Sequence, residues 1–266
     1  MTPTTPTGPA PARLYVEDVG AGPTVLALPG LGGGAFFFRG LAARLQNEYR
    51  ICAVDLPGTG WSDPGEPPAF TLDSWIADLG RWVVHHGGGP VVIVGHSLGT
   101  ILALKAWAAW PQLIRGLVFV GGLPRVRPAI ATRLTERVEN ITRHGLTGWG
   151  RRAAPGIFSP ATFRDRPEIV ALFERVFESQ SEATYLRSTQ LLLAASAADV
   201  PPTIRVPCLA ITGADDQYAP PEDVRGFMKQ VPGGSRIEVL PDCGHLPFYE
   251  APDAFANAVR TFLRGL

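Results

Sequence analysis

Residues 95–99 read Gly95-His96-Ser97-Leu98-Gly99, between the apolar run PVVIV and the helical pattern LGTILALKAWAAW. Glycines two residues to either side of a serine permit a sharp strand-to-helix turn. Such a turn lifts the hydroxyl clear of a sheet and aims a helix N-terminus at it. In that setting Ser97 is a candidate nucleophile; outside it, the same five residues would be a glycine-rich turn. A serine hydroxyl attacks only when a base takes its proton and a third group orients the base. The chain has five histidines. His85 and His86 end an amphipathic helical pattern, His96 is expected to face away from the serine beside it, and His144 falls in a long helical stretch. His245, in LPDCGHLPFYE after the last strand-like run, is the well-placed base.

The orienting acid should come from a strand end between Ser97 and His245. VPCLAITGADDQYAP ends such a strand and offers Asp215 and Asp216. One would orient the imidazole while the other caps the turn or is solvated, and spacing alone does not separate them. Asp55 in AVDLPGTG and Asp63 also follow a strand, but they precede the serine and read as loop-shaping carboxylates. Attack on a carbonyl needs donors for the developing oxyanion. The Leu98 amide supplies one, and the glycine-rich loop 28–34 offers Leu31 as the natural second. That loop fails as a phosphate cradle, since it has neither G-x-G-x-x-G with a downstream acid nor Gly-Lys-Ser/Thr.

These residues need a frame that brings strand ends together. Strand-like runs fall at 13–19, 24–28, 50–55, 90–95, 117–121, 206–212 and 235–240, and helical patterns at about 38–47, 71–87, 98–109, 221–230 and 252–264. VVIV and LVFV are apolar on both faces and β-branched, which suits a parallel sheet covered on both sides. The alternation predicts an α/β fold with a mostly parallel, doubly wound sheet. Gly20-Ala21-Gly22-Pro23 reads as a hairpin turn between the first two strands. From 124 to 202 only helical patterns occur, too long a stretch for a loop.

The expected organisation is a disordered lead-in at 1–12, a core at 13–123 and 203–266, and an inserted helical cap, or lid, at 124–202. The cap is expected over the strand C-termini, where open α/β sheets place ligands. Pocket candidates are Phe36, Phe37, Trp61, Leu123 and Leu246 from core loops, with Trp149, Phe158, Phe163, Phe177, Tyr185 and Leu191 from the cap. Aromatics at helical spacing are more often core residues than substrate contacts. Arg151, Arg152 and Arg187 are candidates for a substrate carboxylate, against the ordinary reading of a solvated face.

Composition narrows the partners. The 266 residues carry 24 basic and 24 acidic side chains and are 45% hydrophobic. Zero net charge without a basic run argues against nucleic acid or an anionic membrane surface as partner. No apolar stretch approaches the ~18 residues of a membrane span, and the N-terminal MTPTTPTGPAPA lacks the pattern of a signal peptide. Cys52, Cys208 and Cys243 are far apart, without C-x-x-C or a Cys/His cluster, so neither a disulfide scaffold nor a metal site is expected. The expectation is a cytoplasmic monomer or homodimer acting on a small molecule without a cofactor.

LPGLGG, DLPGTGWSD, GHSLG, the GADD strand end and DCGH, in that order, resemble the α/β-hydrolase fold superfamily over essentially the whole chain after residue 12. The resemblance implies an eight-stranded, largely parallel sheet with a helical cap, and it lands the acid on Asp216 rather than Asp215. Pro29-Gly30 stands where family members commonly carry His-Gly, which keeps the backbone donor but departs from lipases and haloperoxidases. Ser97 sets the chain apart from haloalkane dehalogenases and soluble epoxide hydrolases, which use aspartate there. Within the superfamily the chain looks closest to small bacterial enol-lactonases and aminoacrylate hydrolases. The implied activity is hydrolysis of a small carboxylic ester or lactone through an acyl-enzyme. Carbon–carbon hydrolysis of a ring-cleavage product and thioester cleavage use the same groups, and a ligand receptor on this fold is the non-enzymatic alternative.

Overall fold

The computed structural model describes residues 7, 14–63, 70–232 and 235–266. Among them seven strands form one sheet: β1 (Val16–Val19), β2 (Thr24–Leu28), β3 (Arg50–Val54), β4 (Val91–His96), β5 (Ile114–Val120), β6 (Cys208–Gly213) and β7 (Ser235–Leu240). Their order is β1-β3-β2-β4-β5-β6-β7, and every pairing is parallel except β1 with β3. The core helices are α1 (Arg39–Leu45), α2 (Leu72–His86) and α3 (Leu98–Ala109). Between β5 and β6 come α4 (Pro128–His144), α5 (Trp149–Ile157), α6 (Pro160–Asp165), α7 (Pro167–Glu178) and α8 (Glu182–Ala194). The chain closes with α9 (Pro221–Met228), α10 (Pro247–Glu250) and α11 (Pro252–Leu263).

Strand periodicity sends alternate side chains into two separate layers. Val25 and Ala27 of β2, with Val92 and Val94 of β4, face α1 and α11. Leu26, Leu28 and Ile93 face the opposite way, against Trp75 and Leu79 of α2 and Leu102 of α3. Both faces are therefore dry, which is why these strands read as continuous apolar runs rather than alternating ones. Each fully buried side chain such as Leu26 or Ile93 contributes roughly 1.5–3 kcal/mol of transfer free energy. Cys52, Cys208 and Cys243 are free and buried in these layers. Burial pushes the thiols of Cys52 and Cys208 up to about 12 and raises Cys243 as well, so none is a nucleophile near neutral pH.

Two sequence expectations need correction. β1 is antiparallel, but its partner is β3: Val16 opposes Val54 and Val19 opposes Ile51. Residues 20–23 are thus a chain reversal that steps over β3 rather than closing a hairpin. Two strand spacings, ~10 Å, lie within the reach of such a turn, and a glycine-rich reversal does not say which strand comes next. The ion pair between Arg50 and Asp18 adds to the β1–β3 contact. The described sheet also has seven strands where the resemblance implies eight. The run 13–19 supplies a single strand from Val16, and the expected lead-in at 1–12 lies, apart from residue 7, outside the described residues.

The five helices of the insertion leave and rejoin the core at one neck. There Arg125 and Ser196 form an isolated antiparallel bridge, and the Ala197 amide donates to the Pro124 carbonyl at 2.8 Å. Within the insertion an aromatic chain, Phe158–Phe173–Phe177–Tyr185, links α5, α7 and α8. Among the described residues no helix is long and apolar enough to cross a membrane, and no cluster of His, Cys, Asp and Glu could hold a metal ion.

Candidate active site

Ser97 joins β4 to α3 with φ 51° and ψ −111°. This is a region that L residues seldom occupy, and holding one there costs about 1–3 kcal/mol. The surrounding structure over-determines it. The Ser97 amide donates to the Val120 carbonyl at the end of β5 (2.9 Å), and the Thr100 hydroxyl donates to the Gly95 carbonyl (2.9 Å). The flanking glycines are steric necessities: a Cβ at 95 would collide with the Gly99 carbonyl, and one at 99 with the Leu28 carbonyl. The Leu98 amide opens α3, where first-turn amides have no intrahelical acceptor. The loop after β2 presses onto the same point. A Cβ on Gly30 would lie 2.7 Å from His96 Nδ1 and 2.9 Å from Ser97 Cβ, so residue 31 follows a backbone held directly against the serine.

His245 enters from the loop after β7. Its Nδ1–H donates to Asp216 Oδ2 at 2.9 Å, with Oδ1 at 3.1 Å, and both side chains are buried. Asp216 Oδ1 also accepts from the Tyr218 amide (2.8 Å) and the Ala219 amide (3.0 Å). Burial raises the Asp216 carboxyl, but His245 and the two amides outweigh it, and its pKa lies below the ordinary carboxylate value. Asp215 is exposed, and its amide donates to the Cys243 carbonyl at 2.9 Å. The pair that spacing left open is thus distinguished by burial and contact. With Nδ1 committed, Nε2 of His245 is the ring nitrogen left for the cavity that His245 and Ser97 both border.

Three supports escaped sequence reading. The buried Nε2–H of His96 donates to the His245 carbonyl at 2.9 Å, and the two rings lie 4.8 Å apart, a part that its place beside Ser97 did not suggest. Burial pushes the His96 pKa down to about 3, so it stays neutral. Glu250 of α10 is a buried acceptor for the Leu246 amide (3.1 Å), the Ser159 amide (2.8 Å) and the Thr162 hydroxyl (2.8 Å). The His245 amide itself donates to the Ile157 carbonyl of α5 at 2.7 Å. The histidine loop is therefore held from the sheet side by His96 and from the insertion by α5 and α6. Tyr218 completes the setting, its ring 4.7 Å from that of His245.

The cavity is bordered by Leu31, Leu98, Leu123, Tyr185 and Leu246 among the residues singled out from sequence, together with Phe37 and Phe177. Other candidates lie elsewhere. Phe36 borders a neighbouring cleft with Thr59 and Gln180, and Phe158 is buried among Phe163 and Phe173. Trp149 packs on the Phe177 cluster under the Arg152 guanidinium. Trp61 is 82% exposed, because its loop is drawn in through its backbone, whose amide donates to Asp55 Oδ2 at 2.9 Å. Asp55 also accepts from the Ala35 amide at 2.7 Å, the loop-shaping part expected of it. Ile101, Leu134, Arg137, Phe173, Leu192 and Tyr218, which sequence reading did not single out, are also among its lining.

A mainly parallel sheet sandwiched by helices, with a serine on a positive-φ strand-to-helix turn and a histidine–aspartate pair at later strand ends, defines the α/β-hydrolase fold. The chain belongs to the alpha/beta hydrolase family, whose sequence model matches residues 25–258. It is 28% identical over 260 residues to polyketide synthase ThaQ of Burkholderia thailandensis, covering 96% of this chain but only 12% of that much longer protein. It is also 28% identical to a pimeloyl-[acyl-carrier protein] methyl ester esterase of Stenotrophomonas maltophilia, over 95% of this chain and 97% of the relative. Among solved structures, the malate-bound thermophilic esterase of Thermogutta terrifontis superposes with a TM-score of 0.87 at 26% identity, covering 95% of this chain and 93% of the esterase.

Proposed function

We propose that the protein is a serine hydrolase that cleaves a small carboxylic ester or lactone through an acyl-enzyme. The observation that carries this is the buried Asp216–His245 pair facing the cavity onto which the Ser97 turn opens. Ser97 Oγ attacks the carbonyl carbon while His245 Nε2 takes its proton. The carbonyl oxygen, now an anion, is held by the Leu31 and Leu98 amides. The tetrahedral species collapses, the carbon–oxygen bond to the alcohol breaks, and His245 returns the proton to the leaving oxygen. Water then attacks the acyl-enzyme, with His245 as base, and releases the acid and free Ser97. Asp216 holds the tautomer that keeps Nε2 basic. Helices α4–α8 act as a cap that closes the cavity.

The esterase named among the relatives supports an ester over a carbon–carbon bond as the scissile group. The complete set of candidate catalytic groups supports an enzyme over a receptor. The test is hydrolysis of p-nitrophenyl esters from acetate to octanoate by wild type and Ser97→Ala. Turnover is expected to fall by roughly 10⁴–10⁶ in the variant, and chain-length preference to report the size of the cavity. A Ser97→Ala protein with wild-type turnover overturns the proposal.

A further inference from the structure

α4 buries a stripe made of Ile130, Leu134, Arg137 and Ile141. Three of the four are what a helix packed on a core requires, and the fourth is a cation. Arg137 is 8% exposed. Its Nη1 donates to the Tyr185 hydroxyl at 3.0 Å and its Nη2 to the Tyr218 hydroxyl at 2.9 Å, while the buried Nε–H has no partner. Two of the five donors of the guanidinium are thus used by neutral groups. Burial works against its charge and the two hydroxyls work for it; the balance holds its pKa above the ordinary arginine value. Burial also raises the Tyr185 phenol more than Arg137 lowers it, so Tyr185 does not neutralise the guanidinium.

Among the described residues no carboxylate pairs with Arg137, whereas the other buried ionic groups are engaged. Asp78 pairs with Arg81, Asp216 with His245, and Asp55 and Glu250 accept backbone amides. An unpaired buried charge is costly, by several kcal/mol even after relaxation. Arg137 also borders the cavity onto which Ser97 and His245 open. The described lining contains three arginines, Arg125, Arg127 and Arg137, and neither aspartate nor glutamate. Arg127 is paired with Asp223 and Arg125 is exposed, which leaves Arg137 as the buried guanidinium of the lining. Tyr218 fixes the relation to the chemistry, with its hydroxyl on Arg137 and its ring against His245. The walls between are apolar (Ile101, Ile130, Leu134, Leu192), so an ion pair there would be screened little.

We propose that Arg137 is the specificity-determining residue of this cavity and takes a carboxylate carried by the substrate. On the reading of Ser97 as nucleophile, the substrate narrows to a short ester or lactone bearing a free carboxylate, such as a dicarboxylic monoester. A single guanidinium with a free Nε–H and spare Nη hydrogens matches a planar monoanion in fork geometry. A phosphate dianion would leave one charge unmatched. Of the arginines considered from sequence, Arg151, Arg152 and Arg187 do not border the cavity: Arg151 pairs with Glu174, and Arg152 and Arg187 lie over the rings of Trp149 and Phe70.

The test compares p-nitrophenyl hemiesters of the straight dicarboxylic acids, succinic to suberic, with neutral p-nitrophenyl alkanoates of equal length. In the wild type, kcat/KM for the best-fitting hemiester should exceed that of its neutral partner by roughly 10- to 100-fold. That ratio should collapse in Arg137→Met and survive in part in Arg137→Lys, with folding of both verified by circular dichroism. A separate arm needs no turnover and no Arg137 variant: calorimetric titration of Ser97→Ala with monomethyl adipate and with dimethyl adipate. The monoanion should bind and the diester should not. Absence of hydrolysis of every ester, with the monoanion still bound, would sink the serine-hydrolase reading and leave the carboxylate site standing. Ester turnover without charge preference in the wild type, or a preference that survives Arg137→Met, would overturn the role of Arg137.

Discussion

The two walls of the cavity are built on different principles. On the sheet side, position is a matter of backbone. Ser97 is held at φ 51° by glycines that leave no room for a side chain, and the His245 loop is pinned through its own amide and carbonyl. On the side of the insertion, position is a matter of side chains. Aromatic rings meet edge to face from α5 to α8, and a guanidinium reaches tyrosines 48 and 81 residues away in sequence. A backbone-built wall holds its groups within tight tolerances. A side-chain-built wall can change what it accepts without disturbing the turn that carries Ser97.

That contrast can be broken by mutation. The largest effect is expected on the sheet side. Asp216→Asn keeps the shape of the acid but not the hydrogen bond that fixes the His245 tautomer, and turnover should fall by roughly 10⁴-fold. The charge preference attributed to Arg137 should survive in whatever activity remains. A loss of preference without loss of turnover would reverse the assignment of the two walls.

A pH series comes next in size. His96 is buried neutral, its pKa down to about 3 against an ordinary 6.5. Between those values the unfolded chain binds a proton that the folded chain refuses, so stability rises with pH in that window and is lost on acidification. The slope below 6.5 is about 1.4 kcal/mol per pH unit. The Asp216 carboxyl, lowered from 3.8, adds acid sensitivity only below that value. The fall in Tm from pH 7 to pH 5 should be larger in wild type than in His96→Gln. Equal falls would show that His96 is not what the acid attacks.

The smallest effect is expected at the seam between the walls. Glu250→Gln keeps an acceptor but points an amide N–H at groups that are themselves donors, and should cost about 1–3 kcal/mol in urea unfolding. The loss should appear with little change in the hemiester-to-alkanoate ratio. No loss of stability would mean that Glu250 does not tie α6 to the histidine loop.

What could be read in advance follows the same division. The glycine pattern around Ser97, the strand-end position of His245 and the alternation of strands and helices are local signals, and the structure places those elements within a few residues of where the sequence puts them. Asp216 against Asp215 could not be decided by spacing, because the difference is burial. The partner of β1 differs from the expected one, since a turn specifies a reversal and not a neighbour. Trp61, Trp149 and Phe158 were drawn into the pocket by their type, although an aromatic side chain says nothing of which neighbour it meets. Arg137 did leave a trace, an arginine at the third position of the stripe Ile130–Leu134–Arg137–Ile141. RLTERVENITRH is charged all along, however, and a solvated face is the ordinary reading of such a stretch. Glu250 and Tyr218 leave none, since what matters in each is a contact with residues distant in sequence: Ser159 and Thr162 for Glu250, Arg137 and His245 for Tyr218.

The central claim is that Ser97 is the nucleophile, and covalent capture tests it most directly. Wild type and Ser97→Ala are treated with a fluorophosphonate and analysed by intact and peptide mass spectrometry. The account predicts a single adduct on wild type, on the peptide containing Ser97 and with loss of ester turnover, and no adduct on the variant. An adduct at another residue, or an unlabelled and fully active wild type, would contradict it.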